Sequence, residues 1–254
     1  MKVLFLDPEQ YVDFENEPSN YQLRLPFLNA GPITNHCDFV YQRVLRAQGR
    51  DAMNAAAIAE FEKFRPDLVV NSLAWWNECL EPATLDAMRR QGAKVLTVFW
   101  DTWINPLPHE IELFLASDVL LIMDSLAGYL KYRLLREHLG RGPLVVFSPI
   151  AVFTDVIHRA PAEQDIDVLM IGSDEGQRVE LTRRLDENLS KRGIRFVRLG
   201  GLVDDDGRTS SKWVDWKSYA QAINRAKICL SSQTKPDRLQ IKGKVFDFLA
   251  SGDF

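Results

Sequence analysis

The sequence predicts an α/β protein built from two doubly wound parallel-sheet domains. Three observations predict it. Short, continuous apolar runs recur along the 254 residues, as strands covered on both faces require. Segments with helical periodicity, bounded by Gly and Pro, lie between those runs. The alternation stops once, around Thr154–Gln164, and then restarts. The break separates an N-terminal domain over residues 1–155 from a C-terminal domain over residues 163–254, and each half reads as Rossmann-like.

The first half opens with Lys2–Leu6 (KVLFL), a buried strand closed by Asp7-Pro8. Cys37–Gln48 reads as a helix, with Val40, Val44, Leu45 and Ala47 near one face and Gly49 as its stop. Ala55–Phe64 carries Ile58, Phe61 and Phe64 and reads as a second helix. Asp67–Asn71 (DLVVN) follows Arg65-Pro66 as a strand. Pro82–Gln91 has Pro in its first turn and Gly92 past its end, which is helix boundary chemistry. Lys94–Phe99 and Asp118–Met123 are strands, Ser125–Leu139 is a long helix ending at Gly140, and Leu144–Phe147 is a further strand. Strands alternating with helices imply right-handed crossovers and a parallel sheet.

The second half repeats the cycle. Ile166–Ile171 is a strand closed by Gly172-Ser173. Glu175–Lys191 is an amphipathic helix with Leu181, Leu185 and Leu189 at four-residue spacing. Ile194–Leu199 is a strand ending at Gly200-Gly201, Lys217–Arg225 a helix, and Ile228–Ser231 a strand. Lys244–Ala250 begins a helix near the final residue, Phe254. A three-stranded half of this size is expected to be either cut short or a naturally small domain.

Composition narrows the function. Lys and Arg number 31 against 35 Asp and Glu, a formal charge of −4. That balance argues against nucleic-acid binding by bulk electrostatics. Cys37, Cys79 and Cys229 lie far apart with no CxxC pair, so a reducing, cytoplasmic compartment is expected. No apolar run approaches the roughly 20 residues of an integral membrane helix.

The richest chemistry lies in Ser231–Gly252 (SSQTKPDRLQIKGKVFDFLASG). A strand ends at Ser231, and a polar loop follows with Lys235, Arg238 and Lys242. A helix then starts near Gly243 or Lys244. Helix N-termini favour anions, because their free N–H groups carry partial positive charge. Cations crowd this one instead. A bound diphosphate would resolve the conflict, with Gly243 admitting it close to the backbone. A solvated basic loop is the other reading.

The run Lys242-Gly243-Lys244-Val245-Phe246-Asp247-Phe248-Leu249-Ala250-Ser251-Gly252 resembles the (K)GR-V-F-E-A-L-A-(C/S)-G signature of GT-B glycosyltransferases. It is most similar to the spore-maturation, CgeB-type glycosyltransferase-like family. Tyr219–Ser232 resembles the helix and strand that precede that signature, and Asp165–Gly172 the first strand of the donor domain. The resemblance is specific over about 35 residues and architectural in the first half. It implies a nucleoside diphosphate sugar as donor and a small-molecule, glycan or protein hydroxyl as acceptor, with no cofactor or metal required. Lys242 and Lys244 would then hold the diphosphate, and Asp247 would accept the ribose hydroxyls. Arg238, in the basic loop before them, is a further candidate for the diphosphate by charge alone. Two departures stand out. Many relatives carry the longer Glu at the Asp247 position. Retaining relatives also carry a second Glu eight residues earlier, where this chain has Leu239.

Other candidates are sparser. Gly172-Ser173 could line the cleft, although Asp174 and Glu175 already satisfy the helix dipole there and plain capping explains the turn. Gly200 could admit a base or ribose, or form an ordinary turn. In the first half, Asp7, Asn71 and Asp101 sit at strand carboxyl ends, where open α/β sheets bind ligands. Asp101, framed by Trp100 and Trp103, is the leading candidate for general base, and His36 at the start of the first long helix is the second. A strand-end cap and a structural histidine are the competing readings. His109 reads as a capping residue. His36, His109, His138 and His158 show no metal-ligand spacing, and Asp204–Asp206 lacks the pattern of a cation loop. Neither GxGxxG, GxxxxGKS nor GxSxG occurs. An epimerase or hydrolase of nucleotide sugars, or an inactive binding protein, are the rivals on this frame.

Overall fold

A computed structural model of the protein describes residues 1–8, 27–29, 31–73, 78–100, 102, 108–123, 125–150, 152, 154–172, 177–200, 216–232 and 243–252. The chain forms two compact units, Met1–Pro149 and Ile150–Phe254. Both are parallel α/β sheets, the second smaller than the first.

In the first unit the strands are β1 (Lys2–Asp7), β2 (Asn35–Val40), β3 (Leu68–Ser72), β4 (Lys94–Phe99), β5 (Val119–Ile122) and β6 (Leu144–Phe147). Their order is β2-β1-β3-β4-β5-β6, and every neighbouring pair is parallel. The helices are α1 (Tyr41–Gln48), α2 (Arg50–Phe64), α3 (Pro82–Arg90), α4 (Pro108–Leu115) and α5 (Leu126–Leu139). The central strands read as unbroken apolar runs because both faces are covered. Leu4, Leu6, Val69 and Val95 pack with Tyr41, Met53, Phe61, Leu85 and Met88. A second cluster gathers Phe99, Phe114, Leu120, Ile122, Tyr132 and Val145. Helix ends follow the boundary residues: Pro82 opens α3. The Ser125 hydroxyl accepts the Gly128 N–H at 2.9 Å to start α5, and Gly140 closes it.

One element departs from the sequence reading. Residues 37–40, expected as the first turn of a helix, belong to β2, which pairs with β1 from Lys2↔Asn35 to Asp7↔Val40. β2 is an edge strand, so it alternates instead of running apolar. Cys37 and Phe39 pack inward against the core while His36 and Asp38 stay exposed. The helical spacing of Val40, Val44 and Leu45 hid the strand, because α1 begins directly at Tyr41. His36 is therefore a strand residue and not a helix-start residue.

The second unit holds β7 (Ile166–Ile171), β8 (Phe196–Leu199) and β9 (Ala226–Leu230) in the order β8-β7-β9, again parallel. Its helices are α6 (Gln177–Ser190), α7 (Trp216–Arg225) and α8 (Gly243–Ala250). Ile166, Leu169, Ile171, Ala222, Ile223, Ala226 and Phe248 form its core. The stretch 154–164, expected as a linker, is seated on this unit. The Asn224 amide donates to the His158 carbonyl at 3.0 Å and accepts the Ala160 N–H at 2.7 Å. Ile157 is fully buried. Each sheet reverses its strand order once, between β1 and β3 in the first unit and between β7 and β9 in the second. Those are the points where open α/β sheets leave a crevice at their carboxyl ends.

Candidate functional site

The carboxyl end of β7 is the most constructed point of the second unit. Gly172 follows the strand at φ +140° and Gly200 follows β8 at φ +146°, a region that L side chains rarely adopt. The Gly172 N–H donates to the Leu199 carbonyl at 2.8 Å, which draws the two strand ends together. A Cβ on Gly200 would lie 2.2 Å from the Gly172 carbonyl oxygen. Glycine is thus required at 200 by a backbone-to-backbone approach.

Two cations converge on the same place. A Cβ on Gly172 would meet Lys244 Nζ and Arg178 Nη1, each at 2.7 Å. The two charges therefore lie within twice that distance of one another. Lys244 is the second residue of α8, and its Nζ donates to the Ile171 carbonyl at 2.6 Å. Arg178 is the second residue of α6 and is buried. Its Nε donates to Ser232 Oγ at 3.1 Å and its Nη2 to the Ser232 carbonyl at 2.8 Å, just past β9. Like charges this close repel by about 3 kcal/mol at an effective dielectric of about 20. Each also sits in the first turn of a helix, where the peptide dipoles disfavour a cation. Both cations and both helix ends would favour a bound anion at this point.

Asp247 lies one turn further along α8 and is buried. Its Oδ2 accepts the Tyr219 hydroxyl at 2.7 Å, while Oδ1 has no hydrogen-bond partner. Burial pushes its carboxyl up to about 6, against the lowering effects of the Tyr219 hydrogen bond and the Lys244 charge. One oxygen is thus committed to α7, and the other is the one that could take a ligand hydroxyl. Ser251 Oγ, also buried, has no partner.

The sequence reading named Gly172, Gly200, Gly243, Lys244 and Asp247. The structure gathers Gly172, Gly200 and Lys244 into one cluster, while Gly243, buried, opens α8. Lys242 and Arg238 lie outside the described residues. Arg178 and Ser232 were missed. The signal for Arg178 was a cation two residues into a helix that follows a Gly-ended strand. Asp174 and Glu175 masked it by seeming to settle the dipole.

In the first unit, Asp7, Asn71 and Ser72 end β1 and β3 and are all fully buried. Neither polar atom of the Asn71 amide has a hydrogen-bond partner. Asp101 and Trp103 fall outside the described residues, but Trp100 is held by its Nε1 donating to Ser72 Oγ at 2.8 Å. His36 sits near the amino end of β2, in register with Val3, at the pole opposite those strand ends. Its ring meets Phe5 edge-on at 6.4 Å. His109 lies in the first turn of α4. A groove of about 600 Å³ is lined by Asp86, Arg89, Glu112, Ser117, Asp118 and Arg141. Arg89 there is already engaged, by Asp86 at 2.7 Å and by the Leu115 and Ser117 carbonyls. Among the described residues no group of three or more His, Cys, Asp or Glu could hold a metal ion.

The chain matches no protein-family model and no curated protein. Solved structures resemble it in fold. UDP-GlcNAc 2-epimerase from Neisseria meningitidis, bound to UDP-GlcNAc, is 16% identical, with 90% of this chain covering 77% of that one at a TM-score of 0.55. UDP-GlcNAc 2-epimerase from Methanocaldococcus jannaschii is 11% identical, with 90% of this chain covering 78% of that one at 0.51. The pneumococcal O-GlcNAc transferase GtfA, in complex with UDP and GlcNAc, is 11% identical at 0.51. There 80% of this chain spans only 44% of the transferase. At such identities the likeness is one of fold, and it supports the GT-B type of fold that the sequence implied.

Proposed function

We propose that the second unit binds a nucleoside diphosphate sugar and that the protein transfers the sugar to an acceptor hydroxyl. The observation that carries this reading is the pairing of Lys244 and Arg178 at Gly172. Two fixed cations, two helix N-termini and a bare glycine backbone are the chemistry that receives a diphosphate. The same groups would stabilise the charge that grows on the leaving diphosphate as the glycosidic bond breaks. In this reading protein cations supply that charge stabilisation, so no metal is called for. Asp247 Oδ1 would take a ribose hydroxyl. The resemblance of residues 242–252 to the CgeB-type signature supports the assignment and adds Lys242 on the diphosphate, and Arg238 of the preceding basic loop would add charge. Asp101 would serve as base toward the acceptor.

A second reading is favoured by the fold likeness to two UDP-GlcNAc 2-epimerases. There the same donor would be epimerised or hydrolysed with no acceptor. A third reading, donor binding without turnover, uses the same site.

A thermal-shift panel of nucleoside diphosphates and their sugars tests the shared core, since a ligand bound at 100 times its Kd adds about 2.7 kcal/mol of stability. NMR of the donor then separates the readings. Consumption only with an acceptor supports transfer, free epimer or free sugar without one supports the second reading, and a shift with no consumption supports the third. No shift with any nucleotide contradicts all three.

A further inference from the structure

Helix α5 carries apolar residues on both of its faces. Its inner side is Gly128 and Tyr132, both buried, with Tyr132 stacked on Phe114 at 5.9 Å and edge-on to Phe99 at 5.1 Å. Its outer side presents Leu126, Leu130 and Leu134, exposed by 58%, 46% and 63%. Four-residue spacing puts these three on one stripe. A surface helix ordinarily turns polar residues outward. The apolar surface also reaches the sheet edge, where the Tyr129 ring lies 6.3 Å from that of Phe147, itself exposed on β6.

The charges around the stripe have one dominant sign. From Leu126 to Arg141 the chain carries Lys131, Arg133, Arg136 and Arg141 against a single acid, Glu137. Glu137 is taken by Arg133 at 3.2 Å, and Lys131 turns inward toward Glu110 at 3.8 Å. Arg133, Arg136, His138 and Arg141 are exposed. This cationic face belongs to a chain of net charge −4.

We propose that the outer face of α5 docks on an anionic lipid surface. The leucine stripe runs about 12 Å along the helix, a length suited to lying in the headgroup layer with the leucines dipped into it. No described helix is long and apolar enough to cross a membrane, so the contact is peripheral. A second copy of the chain is the weaker occupant. A two-fold contact would set the same arginines against each other, whereas an anionic leaflet attracts each of them. The proposal is independent of the donor site.

The test is co-sedimentation of the full chain with vesicles of phosphatidylcholine alone or mixed with phosphatidylglycerol. The native chain is expected to pellet with the anionic vesicles, with partitioning that falls as salt rises. Leu126→Ser/Leu130→Ser/Leu134→Ser is expected to lower partitioning at least tenfold, and Arg133→Gln/Arg136→Gln to lower it about tenfold while flattening the salt dependence. Both variants alter exposed positions, so unchanged circular dichroism confirms their folding. Leu181→Ser, an exposed leucine on α6, serves as the control and is expected to bind like the native chain. Absence of binding to anionic vesicles overturns the proposal. So does equal binding to both vesicle types, or equal binding by the leucine variant. A concentration-dependent dimer that the leucine variant abolishes, without vesicle binding, would assign the stripe to a second copy instead.

Discussion

At the end of β7 the chain leaves a bare Gly172 with Lys244 and Arg178 around it. At the matching point of the first sheet, β1 and β3 end in Asp7, Asn71 and Ser72, all buried. The two crevices arise from the same rule of strand order, yet their chemistry is opposite. One concentrates positive charge and helix N-termini beside a glycine. The other ends in a buried carboxyl and a buried amide, groups that hydrogen-bond hydroxyls. Strand order fixes where a ligand can sit, and a few side chains decide which one.

The largest expected effect tests the geometry of the basic pole. Gly200→Ala would set a Cβ 2.2 Å from the Gly172 carbonyl oxygen at φ +146°. Strain and collision together are expected to destabilise the second unit by roughly 3–5 kcal/mol, read as a lower denaturant midpoint. An unchanged midpoint would mean the strand ends are not held this close.

Charge removal sharpens the comparison next. Lys244→Met and Arg178→Met should each weaken nucleoside diphosphate binding about 10- to 100-fold, as loss of a charge-assisted hydrogen bond does. Asn71→Leu in the other crevice should leave that affinity unchanged. Calorimetric titration with UDP checks both, and an effect of Asn71 equal to that of Lys244 would erase the distinction between the poles.

Asp247 gives the basic pole a pH signature. Its folded carboxyl is raised to about 6, above its ordinary value of 3.8. The folded state therefore binds the proton more tightly than the unfolded state, and native stability falls as pH rises from about 4 to about 6. Asp247→Asn should match the native protein near pH 4 and exceed it at pH 7 by on the order of 1–3 kcal/mol. Equal stability curves at both pH values would place the carboxylate in water.

The smallest effect lies in the first unit. The Asn71 amide is buried with neither polar atom bonded, so Asn71→Leu is expected to raise stability by about 1 kcal/mol, because it removes desolvated groups that nothing repays. A fall in melting temperature would show that the amide is satisfied.

Much of the fold was legible in the residues. Unbroken apolar runs marked β1, β3, β4, β5 and β7, since buried parallel strands need no polar face. β2 escaped because an edge strand alternates, and its alternation ran straight into helical spacing at Tyr41. The site was legible in half. Lys244 stood out because a cation at a helix start is locally unfavourable. Arg178 did not, because its meaning depends on Ser232 and Gly172 arriving beside it from distant points of the chain. Asp247 was legible as a residue, but not its partner Tyr219, which a neighbouring helix supplies.

The most direct measurement compares UDP with uridine, on the native chain and on Lys244→Met, by calorimetric titration. The account predicts that UDP binds, that uridine binds far more weakly, and that Lys244→Met narrows the gap between them by ten- to a hundredfold. Equal affinity for the two ligands, or a gap that Lys244→Met leaves intact, would contradict it.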